Sequence, residues 1–561
     1  MMKRFVSRVA RKAPFLFAAA TIAGLVIGMP GSGPRPWDLG TSAVAAQAAR
    51  PRLVVVLVAD QFRSDYIDLY AHRWRAGFRT LLDEGARFTS AEYPYLNTAT
   101  CVGHVTIATG ALPRTHGIIL NRWWHRDEQR LVTCTDDPAS PDVSYGGPVR
   151  AANSAQRMLV PTFADRLRAA QPGARVVSLA LKARAAVSLA GRGGDAVTWF
   201  DESGRAFVTS RSFSPAPVES VRAFIARDAP EADLGKAWTL QQPERSYLYP
   251  DIGAGERPKA GWTAVFPHRL LGLDGPDAQF FDRWQKSPFS DAFLGRMAAS
   301  LVNDLQLGQR QQTDYLAVSF SALDLMGHDF GISSREVEDM LIHLDVTIGR
   351  LLQELDARVG RDNYVVALSA DHGAAPTPEQ NGGGRIASED IQAVVEQALV
   401  TRWGPSQTPY VAWVSSGSVY FARGIFDRLR QDRAALDALT RTLTAIPGLM
   451  RVMRSDELSA TSQDPLVRAA AAGHVPGRTA DLLLVPERHW VIELRAENEA
   501  TNHGTFHDYD RRVPILLRGH RIKPGRYGER VSPADIAPTL AYLSGVSLPD
   551  ADGRLLPGVI R

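Results

Sequence analysis

Asp60, Asp324, His328, Asp371, His372 and His503 lie far apart in the chain, yet each stands at or just after a stretch that reads as a β-strand. Carboxylates and imidazoles are hard and borderline metal donors. Two Asp, one His and a hydroxyl form one four-ligand set; Asp, His and His form another with an open position. That is the composition expected of two zinc ions. A lone Asp or His is ordinarily a hydrogen-bonding residue, so the joint pattern carries the inference. The hydroxyl candidate is Thr100, within N-T-A-T-C-V-G-H-V-T-I-A-T-G-A-L-P-R-T-H-G-I-I-L-N from Asn97 to Asn121. Val102, Val105 and Ile107 form a short helix-like run that Gly110 and Pro113 end. Thr100 therefore lies at or near a helix N-terminus, where free N–H groups and the positive dipole end favour an alkoxide or a phosphate oxygen. Taken alone, a Thr at a helix start is usually only an N-cap. Two metals about 3.5–4 Å apart can clamp the attacking and leaving oxygens of an in-line phosphoryl displacement.

The elements that must position these residues follow from the apolar runs. Arg52 to Val58, bounded by Pro51, has the continuous pattern of a buried parallel strand and leads to Asp60. A carboxylate there sits where open α/β sheets bind ligands. Phe78 to Gly85 reads as a helix and Phe88 to Tyr95 as an extended return. Trp123, Trp124 and His125 are either core or pocket lining. Ala174 to Ala180 is a further strand, running into Leu181-Lys182-Ala183-Arg184. In extended backbone Lys182 and Arg184 point to one side, and two cations suit a phosphate dianion. With 64 Lys and Arg in the chain, a solvated surface pair is the alternative. Asp314 to Phe320 precedes Asp324 and His328, whose spacing of four lets one helical turn bring both to one face. Val337 to Leu355 carries an apolar stripe of Leu341, Leu344, Ile348, Leu351 and Leu352. Asn363 to Ser369 ends in Asp371-His372-Gly373. Val513 to Leu517 is another strand, and Ser532-Pro533 opens a last helix.

Two regions interrupt this order. Ala196–Phe200 and Arg205–Ser210 suggest a hairpin, and Pro243 to Pro276 reads as long loops. Residues of about 196–300 are read as one insertion. A second, about 376–500, has helices near 389–403 and 426–445 alternating with strand-like runs at 410–422 and 481–494, a small α+β lid. Asn381-Gly-Gly-Gly384 is a loop, since it lacks the spacing of a nucleotide-binding fingerprint. The expected fold is a three-layer α/β/α sandwich with a mainly parallel central sheet plus inserted cap regions.

Several short motifs together resemble the alkaline phosphatase superfamily, within its threonine-nucleophile branch. They are V-A-D at Asp60, T-C-V-G-H from Thr100, H-G-I at His116, L-D-L-M-G-H at Asp324–His328, A-D-H-G at Asp371–His372, N-H-G at His503 and D-I-A-P-T-L from Asp535. They span about 52 to 545 in the family's order. The resemblance implies that Thr100 is a nucleophile and a ligand of one zinc with Asp60, Asp371 and His372. Asp324, His328 and His503 would hold the other, giving two Zn2+ ions per chain. Asn121 would bind a phosphoryl oxygen. Lys182 and Arg184 match the K-x-R motif of the branch's phosphomonoesterases, which its diesterases usually lack. C-V-G-H departs from C-x-P-x-R, so Cys101 is no sulfatase formylglycine precursor. The implied activity is hydrolysis of small phosphate monoesters through a phosphothreonine. The alternatives are a phosphodiesterase or nucleotide pyrophosphatase on the same scaffold, and a non-catalytic periplasmic phosphate-ester binder.

The chain has 561 residues, 45% of them apolar and 22% charged, ordinary for a globular protein able to bury a large core. Lys3, Arg4, Arg8, Arg11 and Lys12 precede an apolar stretch from Phe15 to Met29, and Ala43-Val44-Ala45 follows. Residues 1–45 read as a secretory signal peptide, with an uncleaved anchor as the rival. Residues 46–561 are the expected catalytic domain, periplasmic or secreted. After leader cleavage it is expected to be a monomer without a stable membrane partner. Residues 1–45 hold six Lys or Arg and one Asp; removing that +5 from the total of +4 leaves about −1. The basic pI is therefore partly the leader's and gives no reason to expect nucleic-acid binding. Cys101 and Cys134 are either a disulfide or two buried thiols. Without CxxC spacing, neither reads as a metal ligand.

Overall fold

The Val- and Leu-rich runs form the middle of an eleven-stranded sheet. The computed structural model describes residues 50–495 and 499–561, and the expected leader lies outside the described residues. In chain order the strands are β1 (Leu53–Ala59), β2 (Ala86–Ala91), β3 (Asp136–Ser144), β4 (Ala152–Asn153), β5 (Val176–Ala180), β6 (Ala196–Asp201), β7 (Ala206–Ser210), β8 (Asp314–Phe320), β9 (Tyr364–Ser369), β10 (Ile515–Gly519) and β11 (Gly525–Val531). Across the sheet they run β11-β2-β10-β9-β1-β8-β5-β6-β7-β3-β4. The block β9-β1-β8-β5-β6 is parallel throughout. Strand β10 runs antiparallel between β9 and β2, and β7 turns back from β6. Every residue of β1, β5, β8 and β9 is buried, as continuous apolar strands covered on both faces should be.

Two groups of helices make the covering layers. One contains α1 (Thr100–Thr109), Phe163–Ala170, α2 (Ala183–Ala190) and Ile536–Ser544; the other contains α3 (Ala322–Phe330), α4 (Arg335–Arg358), Gly77–Glu84 and Pro288–Asp304. Helix α4 starts two residues before the expected Val337 because the Ser334 side chain caps it, accepting from Val337 N. Its Leu341, Leu344, Ile348, Leu351 and Leu352 are buried.

The register brings the C-terminal ends of the central strands into line. Ala59 pairs with Phe320, Val58 with Ser369 and Ser319 with Ala180. The residues that follow β1, β5, β8 and β9 therefore emerge along one edge of the sheet. The hairpin at 196–210 is β6 and β7. Because β6 pairs parallel with β5, the central sheet continues through this hairpin before the loops begin.

Between 388 and 493 lies a separate four-stranded antiparallel sheet, in the order Val411–Ser415, Ser418–Phe421, Leu482–Pro486, Leu449–Arg454. Ser388–Trp403 and Arg433–Thr444 pack on it around Ile391, Val395, Leu399, Leu436 and Leu439. The single helix expected at 426–445 is two helices. The chain breaks at Asp432, whose side chain accepts from Ala435 N and so begins the second. Among the described residues no helix is long and apolar enough to cross a membrane.

Candidate active site

Thr100 is the first residue of α1, and its hydroxyl makes no cap hydrogen bond. Ala99, in extended backbone, is the N-cap, and no side chain caps the helix. Thr100 is therefore not the cap of this helix. Its hydroxyl lies 3.5 Å from His372 Nε2 instead. Helix α1 is buried along its whole length and ends at Gly110, which takes the left-handed conformation at φ 71°. Gly103 lets it press against the Asp371 backbone, where a Cβ would fall 2.6 Å from the Asp371 carbonyl carbon. His104 completes the join. Its Nδ1–H donates to Thr100 O at 2.7 Å, and its Nε2 accepts from Ser319 Oγ at 2.8 Å.

Asp60 follows β1, Asp371 and His372 follow β9, and Asp324 and His328 occupy one face of α3 with Nε2 3.4 Å from Oδ1. His503 differs from expectation. It sits in a loop ten residues after the last strand of the 388–493 region, and a hydrogen bond to Thr98 O carries it into the site. Asp324, His328 and His503 bring one donor atom each within 4.8 Å of one another, as do Asp60, Asp324 and His372. Asp371 joins through Oδ2, 3.4 Å from His372 Nε2.

The donor set fits divalent ions. Each imidazole commits Nδ1–H to a backbone carbonyl: His328 to Thr501 at 3.0 Å, His372 to Gly373 at 2.9 Å and His503 to Thr98 at 2.9 Å. A carbonyl can only accept, so the neutral ring's lone pair is on Nε2, facing the carboxylates. Asp60 Oδ1 and Asp371 Oδ2 are buried without a donor. His104 Nδ1 is 3.2 Å from Asp371 Oδ2, but its hydrogen is already aimed at Thr100 O. Unpartnered carboxylate oxygens at full burial are costly unless a cation completes them.

The electrostatics keep two of the three imidazoles neutral. Burial pushes the Asp60 carboxyl up to about 6, with Asp324 and Asp371 adding to it. Burial lowers His372 to about 4 and His503 to about 3, keeping both neutral and available as ligands. His328 goes the other way: burial opposes its charge, but Glu499 and Asp324 raise it well above the ordinary histidine value.

Lys182 and Arg184 are arranged differently from the extended pair expected. Strand β5 ends at Ala180, and Lys182 caps α2 while Arg184 falls in its first turn. Lys182 Nζ inserts between Asp60, at 2.5 Å from Oδ2, and Asp324. Arg184 lines a cleft of about 540 Å³ together with Thr100, Asn121, His328, Glu499 and His503. Its buried Nε has no partner. Asn121 Oδ1 accepts from Cys101 N at 2.8 Å. Of the tryptophans considered for the pocket, Trp123 is fully buried core; Trp413, Arg122 and Leu131 line the cleft instead.

Gln61, His104 and Glu499 have site contacts that the sequence reading gave no role. Gln61 donates from Nε2 to Asp324 Oδ1 at 2.8 Å and from its backbone N to Asp371 Oδ1 at 3.2 Å, with φ 66°. It follows Asp60 directly, which was its only signal. Glu499 Oε2 lies 3.1 Å from His328 Nδ1. Nothing in its local sequence marks it.

A mainly parallel α/β sheet with carboxylates, imidazoles and a helix-end hydroxyl gathered along one edge is the arrangement of a phosphoester hydrolase of the alkaline phosphatase superfamily. Residues 54–510 match the family model for type I phosphodiesterase/nucleotide pyrophosphatase, and the chain belongs to that family. It is 28% identical over 553 residues to alkaline phosphatase PafA of Elizabethkingia meningoseptica, covering 94% of this chain and 99% of that protein. It is 31% identical over 535 residues to alkaline phosphatase PhoK of a Sphingomonas species, covering 91% of each. The crystal structure of wild-type PafA superposes with a TM-score of 0.84 at 27% identity, covering 92% of this chain and 100% of that one. A PafA variant with a threonine changed to serine and an asparagine, a lysine and an arginine changed to alanine has also been solved, with a TM-score of 0.83 at 26% identity and the same coverage.

Proposed function

We propose that the protein is an exported, zinc-dependent phosphomonoesterase in which Thr100 is the nucleophile. The observation that carries this reading is the Thr100 hydroxyl itself: buried, first in its helix, unused for capping, and 3.5 Å from a ligand-type imidazole. Asp60, Asp371 and His372 with Thr100 would hold one ion, and Asp324, His328 and His503 the other. Bound there, zinc supplies Lewis-acid stabilisation of the attacking and departing oxygens and lowers the pKa of a coordinated hydroxyl. Thr100 Oγ1 attacks phosphorus and the ester oxygen leaves with its electron pair; water then cleaves the resulting phosphothreonine. The Asn121 amide and the Arg184 guanidinium donate to the non-bridging oxygens in the transition state. Lys182, now between two carboxylates, carries the charge that a dianionic monoester can use and a monoanionic diester cannot.

The relatives named alkaline phosphatases support monoester specificity, and the solved PafA variant alters the same four residue types in the same chain order as Thr100, Asn121, Lys182 and Arg184. The description of the matched family favours the second reading, a phosphodiesterase or nucleotide pyrophosphatase. The basic and apolar leader supports export. The deciding experiment compares kcat/KM for p-nitrophenyl phosphate and bis-p-nitrophenyl phosphate in wild type and in Lys182→Ala/Arg184→Ala. Monoester hydrolysis should fall by at least about tenfold more than diester hydrolysis. Equal losses would reject monoester specificity.

A further inference from the structure

Cys101 and Cys134 form a disulfide, and its surroundings give it a task beyond holding the chain together. Cys101 is the residue after Thr100, in the first turn of α1. Cys134 follows Arg130–Thr133, which pairs antiparallel with Arg122–His125. Asn121 and Cys134 are thus the two residues at the base of a hairpin. Asn121 O accepts from Cys134 N at 3.0 Å, and Asn121 Oδ1 accepts from Cys101 N at 2.8 Å. Both cysteines therefore hold the same asparagine, one by its main chain and the other by its side chain. The second bond also fixes which way the amide faces. Cys101 N–H is a donor, so the atom it meets must be the oxygen. The Asn121 NH2 is the end left for the cleft that Thr100 and Arg184 line.

The hairpin forms a two-stranded sheet of its own. Its body is held by packing, with Trp123 and Val132 buried and Arg126 bonded to Asp481 and Thr479 O, and the disulfide acts at its base, where Asn121 sits. The disulfide joins the base of the hairpin covalently to the helix that carries the nucleophile. Both sulfurs are buried, with residue exposures of 1% and 2%, so the link is part of the packed site and not a surface staple.

We propose that the Cys101–Cys134 disulfide is a positioning element for phosphoryl binding: it fixes Asn121 beside Thr100 with its NH2 turned into the cleft. This rests on the reading of Asn121 as a phosphoryl ligand and extends it. The test is a double-mutant cycle between Cys101→Ala/Cys134→Ala and Asn121→Ala. Its readouts are kcat/KM for p-nitrophenyl phosphate and Ki for inorganic phosphate, with far-UV circular dichroism verifying the fold. Removing the cysteines from otherwise wild-type protein should lower kcat/KM and raise Ki by about tenfold or more, the scale of losing one oriented donor. In the Asn121→Ala background the same removal should change both by less than about twofold. Equal losses in the two backgrounds would make the disulfide a general stabiliser and overturn the proposal. So would no loss in either. Should the cysteine-free chain fail to fold, the intact protein and Asn121→Ala are compared after dithiothreitol. That dithiol delivers two electrons and two protons to the pair and becomes its own cyclic disulfide; the same outcomes decide. If Asn121→Ala alone left kcat/KM and Ki unchanged, the underlying reading of Asn121 would fail instead, and the two failures are distinguishable.

Discussion

Gly103 is the most informative single position for testing how α1 is fitted to the site. Helix propensity alone favours Ala over Gly in a helix interior by about 1 kcal/mol, so Gly103→Ala would stabilise an isolated helix. Here the added Cβ would lie 2.6 Å from the carbonyl carbon of Asp371 and nearer still to its oxygen, whereas real Cβ atoms essentially never come within 3.0 Å of another heavy atom. The obstacle is backbone, so no side chain can rotate away. Helix and strand end must part, and the carbonyl oxygen sets a displacement of about 1 Å, which in an active site costs about a hundredfold in rate. Thr100 is on the helix that moves and His372 is on the segment it moves from, so their 3.5 Å separation is what the substitution opens. Overpacking should also destabilise the fold by about 1–3 kcal/mol. The assay is kcat/KM for p-nitrophenyl phosphate with zinc supplied, beside thermal unfolding and bound-metal stoichiometry. We expect a folded protein with about a hundredfold loss in kcat/KM, close to 2.7 kcal/mol of transition-state stabilisation. A folded, metal-replete Gly103→Ala enzyme within about threefold of wild type would refute the close-approach argument.

Three other perturbations address separate parts of the site. Thr100→Ala should abolish steady-state turnover while leaving the thermal midpoint nearly unchanged, because the hydroxyl makes no cap bond; hydrolysis at wild-type rate would remove Thr100 as nucleophile. A chelator should abolish hydrolysis and lower the thermal midpoint together, and two equivalents of zinc should restore both; ligand linkage gives about 4.1 kcal/mol when the free ion is at a thousand times its Kd. Persistence of either property after complete metal removal would count against the ligand set. His116, buried away from these ligands, is held down to about 3 by burial, whereas an unfolded histidine titrates near 6.5. The unfolded chain therefore takes up the proton first. The stability due to neutral His116 is present above pH 6.5 and is lost as pH falls toward 3. Between pH 7.5 and 5 the wild type should lose about 2 kcal/mol from this group that His116→Gln does not lose, so the gap between them narrows. A gap independent of pH would show that His116 is not buried as a neutral ring.

The sequence revealed most where one residue's environment is set by its immediate neighbours. A strand buried on both faces must be continuously apolar, so β1, β5, β8 and β9 could be read directly, and a polar residue ending such a run must emerge at the sheet edge. Asp60 and Asp371-His372 were legible for that reason, and Asp324 and His328 because one helical turn fixes their relation. Where the answer depends on pairing across the chain, local pattern is silent. The antiparallel direction of β10 is decided by β9 and β2, and the attachment of β6 to the main sheet is decided by β5. His503 reaches the site from a loop, through a hydrogen bond to a residue about 400 positions earlier. The strand ends at Ala180, where its apolar run ends, but Lys182 and Arg184 do not share the extended backbone expected of them because a helix begins at Ala183.

The short motifs join the two levels. In T-C-V-G-H the threonine has the hydroxyl, the cysteine holds Asn121 by its N–H and Cys134 by its sulfur, the valine is core, the glycine admits the Asp371 backbone, and the histidine ties the helix to Ser319. L-D-L-M-G-H is built alike: Asp324 and His328 face the site, while Gly327 leaves room for Gln61, which donates to Asp324. A motif of this density is specific because nearly every position answers to a different neighbour. Changing one position should therefore disturb the others through contacts the chemistry never touches. Gln61 is the clearest instance: held at φ 66° and bonded to both Asp324 and Asp371, it couples the two proposed ligand groups.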